Sequence, residues 1–272
     1  MSSNLLENQI EDILRTVLSD AGDELLIVDP SAGTIEELVE VTTAFDGELP
    51  SMHLVADESV LKEVMDDFIV ASNAADLIDA GTLVMRTTEA DIDNSLLITD
   101  DAVMALVSAG DHVAALSTDD ADFVDSATET YTDLFEASPD FRLRTPAISR
   151  VRDTLRTEIS EETEADFNGV LASLETARGD GNGLDEVTIS LLVAAKNDVL
   201  LYDISKWGED VGIASKATFS RTKTKLEDMG LIDTEKVPID VGRPRLRLKL
   251  GDDRLRDAST DQLAGVAQSL LN

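Results

Sequence analysis

The segment SKATFSRTKTKL (215–226) carries cations and hydroxyl groups at the spacing of one helix face. Phe219 and Leu226 predict the inward side of that helix, because they lie about two turns apart. The opposite arc then holds Ala217, Ser220, Arg221, Thr224 and Lys225. Arginine can hydrogen-bond guanine through two donors, while lysine and hydroxyl groups suit phosphates. These residues therefore fit the major groove of double-stranded DNA, although a solvated helix face with ordinary i,i+4 charges explains this segment equally well.

The residues that follow predict a basic β-hairpin. IDTEKVPI (232–239) is typical of a strand, and RLRLKL (245–250) alternates inward leucines with outward cations. DVGRP (240–244) predicts the turn between them, so Arg243 and Arg245 flank its tip. Guanidinium groups at such a tip could enter the minor groove or hold phosphate. The hairpin favours DNA binding over a solvated face. The candidate DNA contacts are Lys216, Ser220, Arg221, Thr224, Lys225, Arg243 and Arg245.

Two earlier helices would position this segment. LDEVTISLLVAAKND (184–198) begins with an aspartate suited to N-capping and carries apolar residues at helical spacing. LYDISKWGEDV (201–211) predicts a second helix, which Gly212 ends. A short turn then leads to Ser215 and the third helix, which ends at Gly230. Three helices followed by a basic hairpin predict a winged helix-turn-helix domain.

Charge is distributed unevenly along the 272 residues. The chain holds 56 Asp and Glu against 22 Lys and Arg, and its formal net charge is −34. Residues 196–256 hold 13 of those cations against 11 acids, whereas the rest of the chain is strongly acidic. Carboxylates that interleave with apolar positions keep a protein surface hydrated in concentrated salt. The composition therefore indicates an extreme halophile, and we expect potassium or magnesium ions to bridge carboxylates to DNA phosphates.

The residue types also argue against several classes of function. The chain has no cysteine and only two histidines, His53 and His112, which disfavours disulfides, thiol catalysis and metal centres. Both histidines lie in strand-like segments without a partner motif, so we interpret them as structural. The sequence lacks the common catalytic motifs and nucleotide-binding fingerprints, and we expect neither an enzyme nor a cofactor. It also lacks an apolar run of roughly 18 residues, which predicts a cytoplasmic protein.

The N-terminal part alternates strand and helix patterns. ELLIVD (24–29), MHLVAD (52–57) and TLVMRTT (82–88) predict strands, and the helix before the last of them would run over 58–81. This order indicates parallel pairing, whereas closely spaced strands at 96–117 indicate antiparallel pairing. We therefore expect a mixed, open α/β sheet that follows an N-terminal amphipathic helix within residues 1–20.

Two loops of this expected sheet, DPSAGT (29–34) and ADES (56–59), have residues that could hold a ligand. Ligands of open α/β sheets favour loops beyond strand carboxyl ends, where helix N-termini present free N–H groups. DPSAGT (29–34) is such a loop, and Ser31, Gly33 and Thr34 are its candidate effector-binding residues. Helix capping explains the same residues, and Asp29 would repel an anion. The candidate effector is a sugar or a sugar phosphate.

An arginine cluster provides a second candidate effector site. In FRLRTPAISRVRDTLR (141–156), five arginines accompany a single acid, Asp153. Arg142, Arg144 and Arg150 are the candidate effector-binding residues, because guanidinium groups bind phosphate through paired hydrogen bonds. The same cluster could instead contact the DNA backbone, or pair with acids across a domain or dimer boundary.

Sequence patterns divide the chain into three parts. These are an α/β sensor-like domain (1–145), a helical linker (146–180) and the winged helix-turn-helix domain with a C-terminal helix (181–272). The glycine-rich GDGNG (179–183) predicts the hinge before the last part. The helix patterns at 160–179 and 259–272 could each form a dimer seam or pack onto their own domain. We expect a homodimer, because winged-helix regulators usually read two half-sites.

The chain also resembles a known family. GIASKATFSRTKTKLEDMGLI (212–232) and VGRPRLRLKL (241–250) are similar to the winged-helix domain of archaeal regulators, and the whole chain resembles haloarchaeal TbsP-type regulators. These are associated with the sugar-responsive regulator TrmB. The resemblance implies a dimeric regulator of central carbon metabolism genes, particularly those of gluconeogenesis and glycolysis. Two other classes remain open: a module that partners another regulator or the transcription machinery, and a sugar-phosphate enzyme with an accessory DNA domain.

Overall fold

The computed structural model describes residues 5–7, 9–109, 112–178, 184–239 and 244–271. The chain forms two compact units. The first comprises Met1–Asp66 and Asn73–Leu143, and the second comprises Asp67–Ser72 and Arg144–Asn272. Each unit buries hydrophobic residues of its own. Within the described ranges, we find no helix with the length and apolar character needed to cross a membrane.

The first unit contains a seven-stranded sheet. Its strands are β1 (Leu5–Glu7), β2 (Glu24–Val28), β3 (Ser51–Ala56), β4 (Leu83–Thr87), β5 (Leu96–Ile98), β6 (Val103–Ala109) and β7 (His112–Thr118). Their order across the sheet is β1-β7-β6-β5-β2-β3-β4. β2, β3 and β4 pair in parallel, whereas the remaining neighbours pair antiparallel. The prediction of a mixed, open α/β sheet is therefore confirmed.

Helices lie before and between these strands. They are α1 (Ile10–Asp20), α2 (Ala32–Thr43), α3 (Glu58–Val64), α4 (Phe68–Asp79) and α5 (Ala121–Ala137). α1 is amphipathic, and it buries Ile13, Leu14 and Val17. α5, which the sequence patterns left unassigned, packs Val124 and Phe135 onto strands β2, β3 and β5. One face of the sheet is thereby partly covered by α5.

Two boundaries in this part differ from the predictions. The N-terminal helix begins at Ile10, and the residues Leu5–Glu7 before it form β1, which pairs with β7. The prediction of one helix over 58–81 was wrong, because the chain breaks between α3 and α4. The carboxylate of Asp67 is 1% exposed and accepts hydrogen bonds from the backbone N–H groups of Ile69 (2.8 Å) and Ala177 (3.3 Å). Asp67 therefore caps α4. Its second hydrogen-bond donor, the N–H of Ala177, lies 110 residues away along the chain.

The second unit is mainly helical and contains a two-stranded sheet. Its remaining elements are α6 (Ile148–Glu158), α7 (Glu161–Ala172), α8 (Glu186–Lys196), α9 (Leu201–Val211), α10 (Lys216–Asp228), β8 (Ile232–Val237), β9 (Arg245–Leu250), α11 (Asp253–Asp257) and α12 (Thr260–Leu271). Three helices and an antiparallel hairpin, α8 to β9, form the winged helix-turn-helix that the sequence predicted. The expected hinge at 179–183 lies outside the described residues.

The segment from 146 to 178 and the last helix belong to the core of this unit. α6 and α7 pack against each other, and α12 packs on α7. The indole N–H of Trp207 on α9 donates to the hydroxyl of Thr154 on α6 (3.0 Å). The apolar residues that suggested dimer seams, such as Phe167 on α7 and Leu263 on α12, are 0% exposed within the unit. Packing onto their own domain therefore accounts for both helix patterns.

Candidate DNA-binding surface

The turn between α9 and α10 fixes the start of the third helix. Gly212 adopts φ +99°, a left-handed conformation in which a residue with a Cβ atom is strained. The carbonyl oxygen of Gly208 accepts hydrogen bonds from the N–H groups of Gly212 (3.2 Å) and Ile213 (2.8 Å). Ser215 then caps α10 by accepting a hydrogen bond from the N–H of Thr218 (3.2 Å). These local interactions set the direction in which α10 leaves the turn.

The crossing of α9 and α10 depends on a glycine. A Cβ atom added to Gly208 would lie 2.3 Å from two ring carbons of Phe219, closer than real Cβ contacts. Phe219 is 0% exposed and Leu226 is 1% exposed, so α10 buries the side that the sequence predicted. The absence of a side chain at position 208 allows this close approach, which orients the opposite face of α10 toward solvent.

The solvent-facing side of α10 carries the small, hydroxyl and basic residues. Its exposed side chains are Ala217, Ser220, Arg221, Thr224, Lys225 and Asp228. The guanidinium group of Arg221 contacts the carbonyl oxygen of Ala217 (3.4 Å) and the hydroxyl of Thr218 (3.3 Å). No carboxylate of the described residues lies within the 4.0 Å ion-pair distance of Arg221 or Lys225. We call Ser220, Arg221, Thr224 and Lys225 the open face of α10.

The other cations of the helix-turn-helix are held by carboxylates. Lys216, also a candidate DNA contact, has its ammonium group 2.6 Å from Glu209. That hydrogen bond raises the pKa of Lys216 and lowers the pKa of Glu209. Lys206 pairs with Asp210 (2.5 Å), and the largely buried Lys223 pairs with its i+4 neighbour on α10 (2.5 Å). These lysines differ from the cations of the open face. Each of them would have to break its ion pair with a carboxylate before it could bind a phosphate.

Strand β9 of the wing directs Arg245 and Lys249 at the body of the domain. Arg243 lies outside the described residues. The guanidinium carbon of Arg245 lies 4.2 Å from the ring centre of Tyr202, and its Nη1 is 3.4 Å from Asp203. Lys249 pairs with Asp198 (2.5 Å). The alternation of RLRLKL predicted outward cations, but these two are half-buried against α9 and the end of α8 because acids and a ring lie within reach.

Two exposed residues of the same domain were not selected by the sequence reasoning. Tyr202, at the start of α9, is 48% exposed beside Arg245. Lys236 on β8 is exposed, and the described residues offer it no carboxylate within 4.0 Å. The spacing of Leu201, Ile204 and Trp207 places Tyr202 on the outer side of its helix. The exposure of Tyr202 could therefore have been predicted from the sequence. Lys236 resembles any charged strand residue, and the sequence alone gives no reason to select it.

The candidate effector residues after β2 cap a helix. The hydroxyl of Ser31 accepts a hydrogen bond from the N–H of Thr34 (3.2 Å) and lies 2.9 Å from its hydroxyl. Thr34 is 9% exposed, and a Cβ atom at Gly33 would meet no atom within 4 Å. The two hydroxyl groups therefore already interact with each other and with the first turn of α2.

The candidate arginines at 142–150 are divided between the two units. Arg142 belongs to the first unit, whereas Arg144 and Arg150 belong to the second. All three side chains are exposed. Of the two remaining arginines of that segment, Arg152 donates to the side-chain oxygen of Asn168 (2.8 Å), and Arg156 pairs with its neighbour Asp153 (2.7 Å). Hydrogen bonds within the second unit thus account for part of the arginine-rich pattern.

The fold and the open face define a class of protein, and sequence comparison gives its family. A helix-turn-helix with a two-stranded wing and an exposed basic third helix is the architecture of a DNA-binding domain. A family model described as "Transcriptional regulator TbsP-like, N-terminal" matches residues 2–146, and one described as "Transcriptional regulator TbsP-like, C-terminal HTH domain" matches residues 147–268. The chain belongs to the family of TbsP-like transcriptional regulators. A comparison with curated proteins gave no match.

Three solved structures match this chain at low similarity. TrmBL2, an archaeal chromatin protein with a novel mode of DNA binding, has a TM-score of 0.37 and 14% identity over 52% of this chain and 54% of its own. The phospholipase D family member Nuc from Salmonella typhimurium has a TM-score of 0.35 and 11% identity, over 52% of this chain and 99% of its own. NucT from Helicobacter pylori has a TM-score of 0.35 and 14% identity, over 51% and 99%. We draw no functional conclusion at these TM-scores.

Proposed function

We propose that this regulator reads double-stranded DNA with the open face of α10 in the major groove. The observation that supports this proposal is the free state of Arg221 and Lys225 in a domain where most other described cations pair with acids. Arg221 is placed to contact a base edge, because its small and hydroxyl neighbours Ala217, Ser220 and Thr224 permit close approach. Lys225, one turn later on the same face, is placed to contact a phosphate.

The targets and the assembly belong to the same proposal. The resemblance to TbsP-type regulators supports promoters of central carbon metabolism genes, including gluconeogenesis, as the target DNA. A homodimer would place two copies of α10 in successive major grooves, in keeping with the two half-sites that such domains usually read. The first unit would then sense a metabolite, because its sheet and helices are separate from the DNA-reading elements.

Fluorescence anisotropy with promoter duplexes tests the role of the open face. The duplexes would come from central carbon metabolism genes, and competitor DNA would measure selectivity. Arg221→Ala should weaken selective binding by about 1–3 kcal/mol, because a base contact is lost. Lys225→Ala should weaken binding to all duplexes to a similar degree, because phosphate contacts carry no sequence information.

Lys206→Ala is the matched control for these variants. It removes the same charge from the adjacent helix, but Lys206 already pairs with Asp210. Binding should therefore change little in this control. If Arg221→Ala and Lys206→Ala bound every duplex alike, α10 would not be the reading helix and the proposal would be refuted.

A further inference from the structure

A cleft in the first unit lies where α5 leaves part of the sheet uncovered. Its volume is about 370 Å³, which is within the range of small-molecule sites. The floor comes from neighbouring strands, because Ile98 on β5 pairs with Leu26 on β2, Leu26 with His53 on β3, and His53 with Val84 on β4. Val84 is 36% exposed. The floor is therefore an apolar row, interrupted by one imidazole and accessible to solvent.

A packed aromatic and arginine group forms one wall. The ring of His53 stacks on Phe135 with centroids 4.8 Å apart, and the guanidinium carbon of Arg86 lies 4.5 Å from the centre of the same Phe135 ring. Nη1 of Arg86 donates to the carbonyl oxygens of Phe135 (2.7 Å) and Glu136 (2.9 Å). These contacts hold Arg86 and His53 in place, so the wall is formed before any ligand arrives.

One donor of this wall has no hydrogen-bond partner. Nε of Arg86 is buried and makes no hydrogen bond to the described residues, although a carboxylate oxygen of Asp140 lies 3.3 Å away. That distance permits an ion pair, and the geometry does not give a directed hydrogen bond. Nε of Arg86 thus faces a carboxylate outside the cleft lining, and this ion pair helps to hold Arg86 in the wall.

The rim of the cleft is acidic and rich in hydroxyl groups. Glu24, Asp100 and Glu136 supply carboxylates, and Thr128 and Thr132 on α5 supply hydroxyls. All five of these side chains are exposed. Three carboxylates repel a phosphate or a carboxylate ligand. They accept hydrogen bonds from ligand hydroxyl groups, which the threonines can both donate to and accept from.

The remaining choice is between a cationic and a neutral ligand. The rim carboxylates would attract a cation, but the Phe135 ring offers it no free aromatic face, because that ring already contacts Arg86 and His53. A neutral molecule with several hydroxyl groups needs no such contact. Its C–H surface fits the apolar floor, and its hydroxyls fit the carboxylates and threonines of the rim.

We propose that this cleft binds an uncharged polyhydroxylated molecule, such as a free sugar or a cyclitol, and excludes its phosphorylated form. The inference rests on the proposed sensing role of the first unit and gives that role a site and a ligand class. The cleft lies at the start of β2 and β3, where Glu24 and His53 are found. The loop containing Ser31 and Thr34 follows the opposite end of β2, so the rule that favours strand carboxyl ends pointed to a different place.

Nuclear magnetic resonance of the two histidines provides a local test on the full-length protein. His53 lines the cleft, and His112 on β7 is an internal control because β6, β5 and β2 separate β7 from β3. The probes are D-glucose and myo-inositol, with glucose 6-phosphate and spermidine as the charged comparisons. We expect the neutral probes to shift the His53 ring signals saturably, to leave His112 unchanged, and to bind independently of KCl concentration.

A pair of variants on α5 tests the contacts themselves. Thr132→Val removes a cleft hydroxyl and should weaken binding of the neutral probe about two- to tenfold. Thr130→Val is the matched control, because the hydroxyl of Thr130 donates to the carbonyl oxygen of Ser126 and is not in the cleft lining. It should leave binding unchanged.

The outcomes separate this inference from the proposed DNA-reading function. A cleft that gives no His53 shift with either neutral probe, or that responds only to glucose 6-phosphate or spermidine, overturns the proposal. DNA binding by the same sample, measured by anisotropy, is expected in either case because α10 belongs to the other unit. Loss of probe binding with DNA binding intact would therefore refute the cleft alone.

Discussion

Arg221 has no carboxylate partner among the described residues, because its neighbours on α10 are not acidic. Its neighbours at i±3 and i±4 are Ala217, Thr218, Thr224 and Lys225, and none of them is acidic. In a chain with 56 acidic residues, a helical cation normally finds a carboxylate at one of these spacings, as Lys223 does with Glu227. The absence of acids at these four positions thus leaves Arg221 without an ion pair, although Asp228 lies farther along the same side of α10.

Glu209 provides a test of this competition between carboxylates and phosphates. Its carboxylate forms an ion pair with the ammonium group of Lys216. The hydrogen bond between them lowers the pKa of Glu209 and raises the pKa of Lys216. Glu209→Gln should free Lys216 for a phosphate. We expect tighter binding to all duplexes and an increase of about 1 in the magnitude of the slope of log K against log salt.

The control for Glu209→Gln is Asp253→Asn, which changes the net charge equally. Asp253 is exposed on α11 and pairs with Arg256, away from α10 in sequence. It should leave the salt slope unchanged. Equal effects of the two variants would mean that only net charge matters, and the local competition at Lys216 would be excluded.

Elements whose ends are fixed locally could be predicted from the sequence. Asp185 caps α8 through the N–H of Thr188 (2.7 Å), Ser215 caps α10, and Gly212 ends α9 with a positive φ. Each signal acts within a few residues, so it is readable in the sequence. The alternation of RLRLKL likewise predicted β9. The winged helix and the alternation of strands and helices in the first unit follow from signals of this kind.

Features that depend on distant residues could not be predicted. The break before α4 requires Asp67 to meet Ala177, which is 110 residues away. The pairing of Lys216 with Glu209 needs the turn geometry between α9 and α10. The cleft requires α5 to cover only part of a sheet whose strands come from separate segments, and α5 itself has a polar, acid-rich sequence. His53 was interpreted as structural because its partners Arg86 and Phe135 are far along the chain.

The α9–α10 crossing gives a prediction about a single helical glycine. Gly208→Ala would place a methyl group 2.3 Å from the Phe219 ring, so the helices must separate. We expect a loss of about 1–3 kcal/mol in the free energy of unfolding of the second unit. The fluorescence of Trp207, which is the only tryptophan and lies on α9, reports this transition during denaturant titration at constant KCl.

Gly265→Ala on α12 is the matched helical control. A Cβ atom there would meet no atom within 4 Å, so the change should be neutral or stabilise by about 0.5–1 kcal/mol. Gly208→Ala should also weaken selective DNA binding, because it displaces the open face of α10. A Gly208→Ala protein as stable as the Gly265→Ala protein would show that the crossing tolerates a side chain, against the packing argument.

At the scale of the whole molecule, a net charge of −34 must coexist with DNA binding. At low salt the acidic body repels DNA over the Debye length, which is about 10 Å at 0.1 M and about 3 Å at 1 M. Concentrated KCl removes this repulsion at all but contact distance, and the small open face is then sufficient. Base contacts, buried area and cations bridging carboxylates to phosphates would supply affinity that charge alone does not.

The salt dependence of DNA binding therefore separates this protein from an ordinary basic binder. Counterion release gives a slope of about −0.9 per phosphate contact, so the one phosphate contact assigned to Lys225 predicts about −1 for each copy of the chain. Salt also screens the repulsion between the acidic body and DNA, which opposes this loss of affinity. The slope therefore becomes shallower, and at low KCl its sign is reversed. We expect selective binding, measured by anisotropy, to persist between about 0.5 and about 2 M KCl. A steep loss over that interval, with a slope near −10, would require many more phosphate contacts than α10 offers and would contradict the small open face as the DNA-reading surface.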